Sequence, residues 1–345
     1  MKRFIFLLLV SVILLNPASS SAQGPHWTND SGVSTVTDVY TGNGRPGVTS
    51  ALFNNQVWVA YTSTSCSSGC VIKLAYASAP YNAVAGNLNF STPSYVYIAG
   101  QGNITSYNSP ALIAQNGYLY LAYNDASNTN WLTSSLDGLN WSAPYQLSSQ
   151  FPTSWAPSLA ADTLNSSRIY AGFSSSSTFT PVICAIYPNP SNMALTTQTC
   201  YNFTSLRNMN YNPGMVYNPN INSGVTMGYE WRGNQHCLYG YILDPETQYF
   251  FDYNASLACS DQTSVAPSMA MYQGSPYLAF GGNNNNRQFN IRFSQDGTDY
   301  LAYKQTQPQG MNGSPNLLAA SQTFYSPVLI NFYVWNGQLR YLEGQ

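Results

Sequence analysis

Charge is scarce in this chain, at 7% of its 345 residues, so one stretch that carries a carboxylate, an indole and a guanidinium side by side stands out: Tyr229-Glu230-Trp231-Arg232. Such a set suits a hydroxylated ring, because an indole covers an apolar face while the charged groups exchange hydrogen bonds with hydroxyls. The plainer alternative is an Arg232–Glu230 surface pair beside a packing Tyr229, which is worth little energetically. Other chemistries lack their parts. His26 and His236 are the only histidines, and no Gly-x-Ser-x-Gly elbow is present, so Ser or Cys nucleophile chemistry has little support. Gly281-Gly-Asn-Asn-Asn-Asn286 is a polar loop and not a phosphate cradle. Cys66-Ser-Ser-Gly-Cys70 has no second Cys or His pair for zinc, and neither a metal nor a cofactor is expected.

The elements that must position these groups are strands. No sustained 3.6-residue apolar period occurs, whereas period-two alternation with Asn-Gly and Gly-rich turns recurs from Val48 onward. The unit 109–123 reads as strand, Asn-Gly hairpin, strand. Two markers recur six times. A proline opens each first strand, at Pro46, Pro110, Pro157, Pro213, Pro267 and Pro315. A small or polar residue precedes an aromatic one late in each second strand: Ala60-Tyr61, Ala122-Tyr123, Gly172-Phe173, Gly228-Tyr229, Ala279-Phe280 and Asn331-Phe332. The spacing of about 50 residues suits a four-stranded blade. The sequence therefore predicts an all-β, six-bladed β-propeller of four-stranded blades, preferred to a pair of β-sandwiches. The last unit supplies three strands, so the N-terminal segment 33–40 is expected to close it and remove the open edges.

Ser135-Leu-Asp137-Gly138-Leu-Asn-Trp141 resembles the Asp-box, or BNR repeat, of the sialidase superfamily, a turn between the third and fourth strands of a blade. Ser294-Gln-Asp296-Gly297-Thr-Asp-Tyr300 is similar with Tyr in the last place, and 341–344 looks like a degenerate third copy. The motif speaks for fold and not for activity. Its aspartates, Asp137 and Asp296, are read as structural, accepting N–H bonds across their own turns.

If each first strand runs away from the top face, the second-to-third loops and the blade-to-blade connections gather there, with the Asp-boxes opposite. The candidate ligand-binding residues are then Arg45, Asp125, Trp131, Trp155, Arg207, Tyr229, Glu230, Trp231, Arg232 and Arg287. The resemblance implies three arginines facing a substrate carboxylate, a Tyr–Glu nucleophile pair and an Asp acid. Arg45 before Pro46 resembles the first-strand arginine, Glu230 the glutamate, and Arg232 and Arg287 the other guanidiniums. Two parts do not match: loop 62–70 holds no Asp or Glu for the acid, and no Tyr lies just upstream of Pro315. Without acid and nucleophile the glycosidase pair is incomplete. Five-bladed arabinanases open strands with Asp-Pro and Ala-Pro-Asp, where this chain has Ser109-Pro110 and Ala156-Pro157-Ser158.

The start reads as a signal peptide: Met1-Lys2-Arg3, an apolar run 4–15 well short of the roughly 20 residues of a membrane span, and a small-residue site near Ala22. The expected organisation is a leader, 1–22, and one propeller domain, 23–345. Acidic residues outnumber basic ones, 13 to 11, and two of the basic ones lie in the leader, so nucleic acid is not an expected partner. Six cysteines suit an oxidising compartment, with neighbours pairing as Cys66–Cys70, Cys184–Cys200 and Cys237–Cys259. The reading is a secreted, monomeric, sialidase-like propeller without a membrane span after cleavage. It binds a carbohydrate or glycoconjugate without complete catalytic machinery. An exo-acting sialidase-type glycoside hydrolase and a protein-binding propeller are the alternatives, so enzymatic activity stays open.

Overall fold

The computed structural model describes residues 27, 31–40, 47–66, 69–77, 88–147, 153, 155, 157–219, 224–232, 237–244, 249–252, 263, 265–282, 289–294, 300–303, 311–322 and 325–344. They form six antiparallel four-stranded blades, with the short strand Thr105–Ser106 added to blade 1. The inner strands are Val48–Phe53, Ala111–Gln115, Ser158–Ala161, Gly214–Asn218, Ser268–Tyr272 and Asn316–Gln322, in blades 1 to 6. Each touches the inner strand of the next blade, and that of blade 6 returns to that of blade 1, so the ring is closed. Among the described residues the helical content is a 3-10 turn, Met193–Leu195.

The two sequence markers turn out to be one packing device. In five blades the small second-strand residue lies directly opposite a small inner-strand residue: Thr49 with Ala60, Ala111 with Ala122, Ser158 with Gly172, Gly214 with Gly228, and Ser268 with Ala279. Blades converge at the axis, and only small side chains let neighbouring sheets approach there. A Cβ on Gly172 would fall 2.0 Å from Met215 Sδ of the next blade, and one on Gly214 would meet the Pro267 carbonyl at 3.0 Å. Where the small residue is a hydroxyl it also links blades. Thr49 Oγ1 accepts the Leu112 N–H at 3.0 Å, and Ser268 Oγ accepts the Leu317 N–H at 3.0 Å. Ser158 Oγ donates to the Pro213 carbonyl. Inner strands in a propeller have no ladder partner on the axial side, so these bonds satisfy main-chain groups that burial would otherwise leave at a cost.

Closure uses the N-terminal segment, as expected, but the regular pairing lies upstream of 33–40. Ser31–Gly32 pairs with Gln338–Gly344 in the register Ser31 to Tyr341 and Gly32 to Arg340, and Trp27 bridges Gly344. Beyond it the chain stays on the same edge through Val33 N–H to Leu339 O and Val39 N–H to Gly337 O, both 2.9 Å, then crosses to blade 1 through Tyr40 N–H to Thr62 O. Asp38 anchors that crossing. It accepts from Tyr61 Oη at 2.9 Å and lies 2.5 Å from Lys73 Nζ. Burial, followed by the Asp38 charge, raises the Tyr61 phenol far above the usual tyrosine range, which keeps it neutral. Residues 341–344 are strand, so that stretch is not a third Asp-box turn. Cys184 and Cys200 form a disulfide between cross-strand partners in blade 3. Cys70 and Cys237 are also disulfide-bonded, while the Cys66 side chain and Cys259 lie outside the described residues.

Two outcomes follow from this packing. Gly214→Val, which adds bulk against the Pro267 backbone, should destabilise by about 1–3 kcal/mol in denaturant unfolding; an unchanged midpoint would contradict the close-approach account. Glu343 is 0% exposed, and burial pushes its carboxyl up to about 7 from 4.5. A folded-state value raised above the unfolded one means stability is fully present below about pH 4.5 and lost as pH rises through 7. The melting temperature should therefore fall between pH 5 and 8, and Glu343→Gln should flatten that fall.

Candidate functional site

Each inner strand starts at the top face, so the described residues just before the opening prolines of blades 2 to 6 converge around the axis. They line the upper part of an axial cavity of about 340 Å³. Its mouth is walled by Asn108, Ser109, Trp155, Tyr211, Asn212 and Ser314, and its shaft by the six inner strands. Among the described wall residues none is Asp, Glu, His, Lys or Arg. Trp155 is held by its own loop: Thr153 Oγ1 accepts the Trp155 N–H at 3.2 Å and donates to the Trp155 carbonyl at 3.1 Å. The same clamp recurs in blade 5 between Thr263 and Val265. The Trp155 and Tyr211 rings meet edge to face, with centroids 6.1 Å apart at 65°. Together they form an aromatic wall between blades 3 and 4.

Tyr229-Glu230-Trp231-Arg232 stands beside this wall and builds it. Its backbone runs antiparallel to the blade 3 to blade 4 connection: Asn210 N–H donates to Glu230 O, Arg232 N–H to Asn208 O, and Met209 bridges Trp231. Side chains repeat the link. Tyr229 Oη donates to Arg207 O at 3.0 Å, and Glu230 Oε1 accepts from Asn210 Nδ2 at 3.2 Å, with Glu230 1% exposed. These bonds hold the connection that delivers Tyr211 and Asn212 to the cavity. Arg207 lies over the Trp231 ring at 4.8 Å, and Arg232 over the Phe179 ring at 3.4 Å. Phe179 has φ 60°, a left-handed backbone that is a true outlier for an aromatic residue.

The remaining candidates sort by position. Trp155 is in the cavity wall; Arg207, Tyr229, Glu230, Trp231 and Arg232 are not among its lining residues, with Tyr229 and Glu230 buried and Arg207 and Arg232 exposed. Asp125 and Trp131 belong to the blade 2 rim, where Asp125 accepts from Ser127 N–H, Thr129 N–H and Trp131 Nε1 at 2.8–3.0 Å and so folds its own loop. Arg45, Arg287, Asp296 and Gly297 lie outside the described residues; Ser294 is buried in its strand. The sequence places the blade-to-blade connections at the top, but its candidates leave out Asn108, Ser109, Tyr211, Asn212 and Ser314, which carry no charge. Their signal was position, one or two residues before an opening proline.

The Asp-box sits at the opposite end. Asp137 Oδ1 accepts the Leu139 and Asn140 N–H groups at 2.8 Å and the Ser135 hydroxyl at 3.0 Å, and Oδ2 accepts Asn140 Nδ2 at 2.7 Å. Partial burial opposes ionisation, but the Asn140, Leu139 and Ser135 bonds outweigh it and hold the carboxyl at about 2. Gly138, at φ 77°, packs where a Cβ would strike Trp58 of blade 1, and Trp141 Nε1 donates back to the Gly138 carbonyl. The turn locks blade 2 onto blade 1 and contributes nothing to the cavity.

The fold is a six-bladed β-propeller, similar to that of sialidases. No protein-family model and no curated protein matches the sequence. Solved structures with the same architecture include a protein of unknown function from Dyadobacter fermentans, at 8% identity and TM-score 0.64, covering 93% of this chain and 99% of that one. Another is the Trypanosoma rangeli sialidase, at 9% identity and TM-score 0.59, covering 92% of this chain; the match spans 59% of the sialidase chain. A third is the subtype N11 neuraminidase-like protein of an H18N11 flat-faced bat isolate from Peru, at 8% identity and TM-score 0.58, covering 93% and 94%. At these identities the likeness is one of fold.

The Asp-box geometry sets a stability expectation. Asp137→Ala should lower unfolding free energy by about 1 kcal/mol, a modest figure for an exposed hydrogen-bonded carboxylate. Because its folded-state carboxyl is depressed, the contribution is present above about pH 4 and lost as pH falls through 2. A variant that unfolds like the parent at pH 7 would show the turn to be dispensable.

Proposed function

We propose that the chain is a secreted glycan-binding propeller that seats a sugar in the mouth of the axial cavity without hydrolysing it. The observation that carries this reading is the makeup of the wall: the aromatic residues Trp155, Tyr211 and Tyr217 with hydroxyl and amide side chains among apolar strand residues, and no carboxylate among its described residues. Sugars are bound by stacking on rings and by hydrogen bonds to uncharged polar groups, whereas hydrolysis needs two carboxylates flanking the scissile bond. Two carboxylates near the cavity are buried and engaged elsewhere: Glu230 accepts from Asn210, and Asp162, between the lining residues Ala161 and Thr163, is paired with Arg168. The disulfides are consistent with an extracytoplasmic setting, and no helix among the described residues is long and apolar enough to cross a membrane.

The fold likeness to a sialidase favours a second reading, an exo-acting glycoside hydrolase whose acid and nucleophile come from outside the described wall. A glycan array run beside a fluorogenic sialoside assay separates the two. The expected outcome is binding without turnover. Trp155→Ala should weaken binding at least tenfold with a parent-like melt, since a stacking ring is worth on the order of 1–3 kcal/mol. Steady turnover of the sialoside would establish the enzyme reading, and silence in both assays would leave a protein-binding role.

A further inference from the structure

We infer that the face opposite the cavity mouth docks on a lipid bilayer, through leucines held at the tips of the bottom turns of blades 2 and 3. Every exposed leucine among the described residues lies there, each 56–66% exposed. Leu136 and Leu139 are on the Asp-box turn, Leu164 on the turn between the first two strands of blade 3, and Leu195 on the connection between its last two. Side-chain bonds make these turns neighbours. Ser134 Oγ donates to the Pro190 carbonyl at 3.4 Å, and Gln115 Nε2, at the bottom of the blade 2 inner strand, donates to the Asp162, Asn165 and Arg168 carbonyls at 2.8–3.0 Å. One device presents three of the leucines. Asp137 Oδ1 accepts the Leu139 N–H at 2.8 Å, Asp162 Oδ1 accepts the Leu164 N–H at 2.9 Å, and Asn192 Oδ1 accepts the Ala194 N–H at 3.2 Å directly before Leu195. Each turn is made by an Asx side chain and the backbone, and none of these bonds uses a leucine side chain. A polar residue would serve each turn as well, so the leucines answer to something outside the chain.

The occupant is apolar. Turns 135–141, 161–168 and 187–196 carry three charges: Asp137 is engaged in its own turn, while Asp162 and Arg168 are buried and paired at 2.6 Å. These turns therefore offer an anionic headgroup no exposed Lys or Arg. Leucines on separate tips suit a fluid acyl layer, which conforms to them, whereas a folded partner would need a matching pocket for each. The chain also enters the ring from this side. The fourth strand of blade 6 rises from the bottom face, where Trp27 bridges Gly344, so the apolar run 4–15 joins the ring on the face that carries the leucines. With that face on lipid, the cavity mouth points into solvent.

Flotation of the mature chain with phosphatidylcholine vesicles tests this, with and without phosphatidylserine and with and without added salt. The chain should float with phosphatidylcholine alone, and neither the anionic lipid nor salt should change its affinity by more than about twofold. Leu136→Ser with Leu139→Ser, and Leu164→Ser with Leu195→Ser, should each weaken partitioning about tenfold or more, and the four together should abolish it. Tyr97→Ser, at a similarly exposed position on the edge of blade 1, should float like the parent. Thermal melts of all variants, matched to the parent, exclude unfolding as the cause. No flotation with either vesicle overturns the inference, as does binding that requires phosphatidylserine and is lost in salt. Parent-like flotation of the fourfold variant removes the leucines from the docking role. Self-association of the parent in sedimentation velocity that the leucine variants lose, without flotation, assigns the face to a second copy of the chain and overturns the lipid reading.

Discussion

The close approach of six inner strands around one axis is the constraint on which the rest of this molecule depends. Neighbouring blades can meet there only where side chains shrink to Gly, Ala, Ser or Thr, and the facing pairs from Thr49 and Ala60 to Ser268 and Ala279 meet that demand. Once the strands are so close, the hydroxyls of Thr49, Ser158 and Ser268 bond directly to the backbone of the next blade. Packing and hydrogen bonding therefore reinforce each other at the same positions. Blade 6 departs from the rule: Asn331 stands where the others have Ala or Gly, fully buried, and both its side-chain polar atoms lack a partner. Nothing among the described residues explains that choice.

The top face inherits its geometry from this ring. A proline opens each inner strand and biases the residue before it away from helix, and the described residues before the prolines of blades 2 to 6 end up around the cavity mouth. The Thr153 clamp on Trp155 and the Glu230 and Tyr229 bonds to the neighbouring connection then fix the two rings. Rigid support from behind and a polar, ring-lined front are the usual arrangement of a pre-formed small-molecule site. The bottom face has the reverse character: Asp137 spends its charge on its own turn and binds blade 2 to Trp58 of blade 1.

Much of the fold was legible in the sequence, since the prolines and small-aromatic pairs recur once per blade and report an obligatory packing step. The Asp-box around Asp137 and the Cys184–Cys200 pairing were legible for the same reason: each is a local device whose partners are near in sequence. The site was harder to read. Composition drew attention to Glu230, Trp231 and Arg232 because charge is rare, and the structure makes them the scaffold of the residues that line the cavity. Tyr211 and Asn212 are ordinary in type, and only the three-dimensional convergence of separate connections gives them a common address. The closing segment was misplaced by a few residues because 33–40 alternates like a strand, while the regular pairing fell to Ser31–Gly32.

The pairing of Ser31 with Tyr341 carries a consequence for how the molecule is made. A chain synthesised from its N-terminus produces this edge first and its partner last, so Ser31, Gly32 and Val33 must wait for their blade 6 partners through the synthesis of five blades. Contacts of such large sequence separation form slowly, because loop-closure entropy is lost before the contact returns anything. During that wait the nascent first blade exposes an apolar flank, Val57, Val59 and Tyr61, that belongs against blade 6. The time between synthesis of the first and last blades is thus the interval of greatest exposure to misassembly, and chaperone demand should concentrate there.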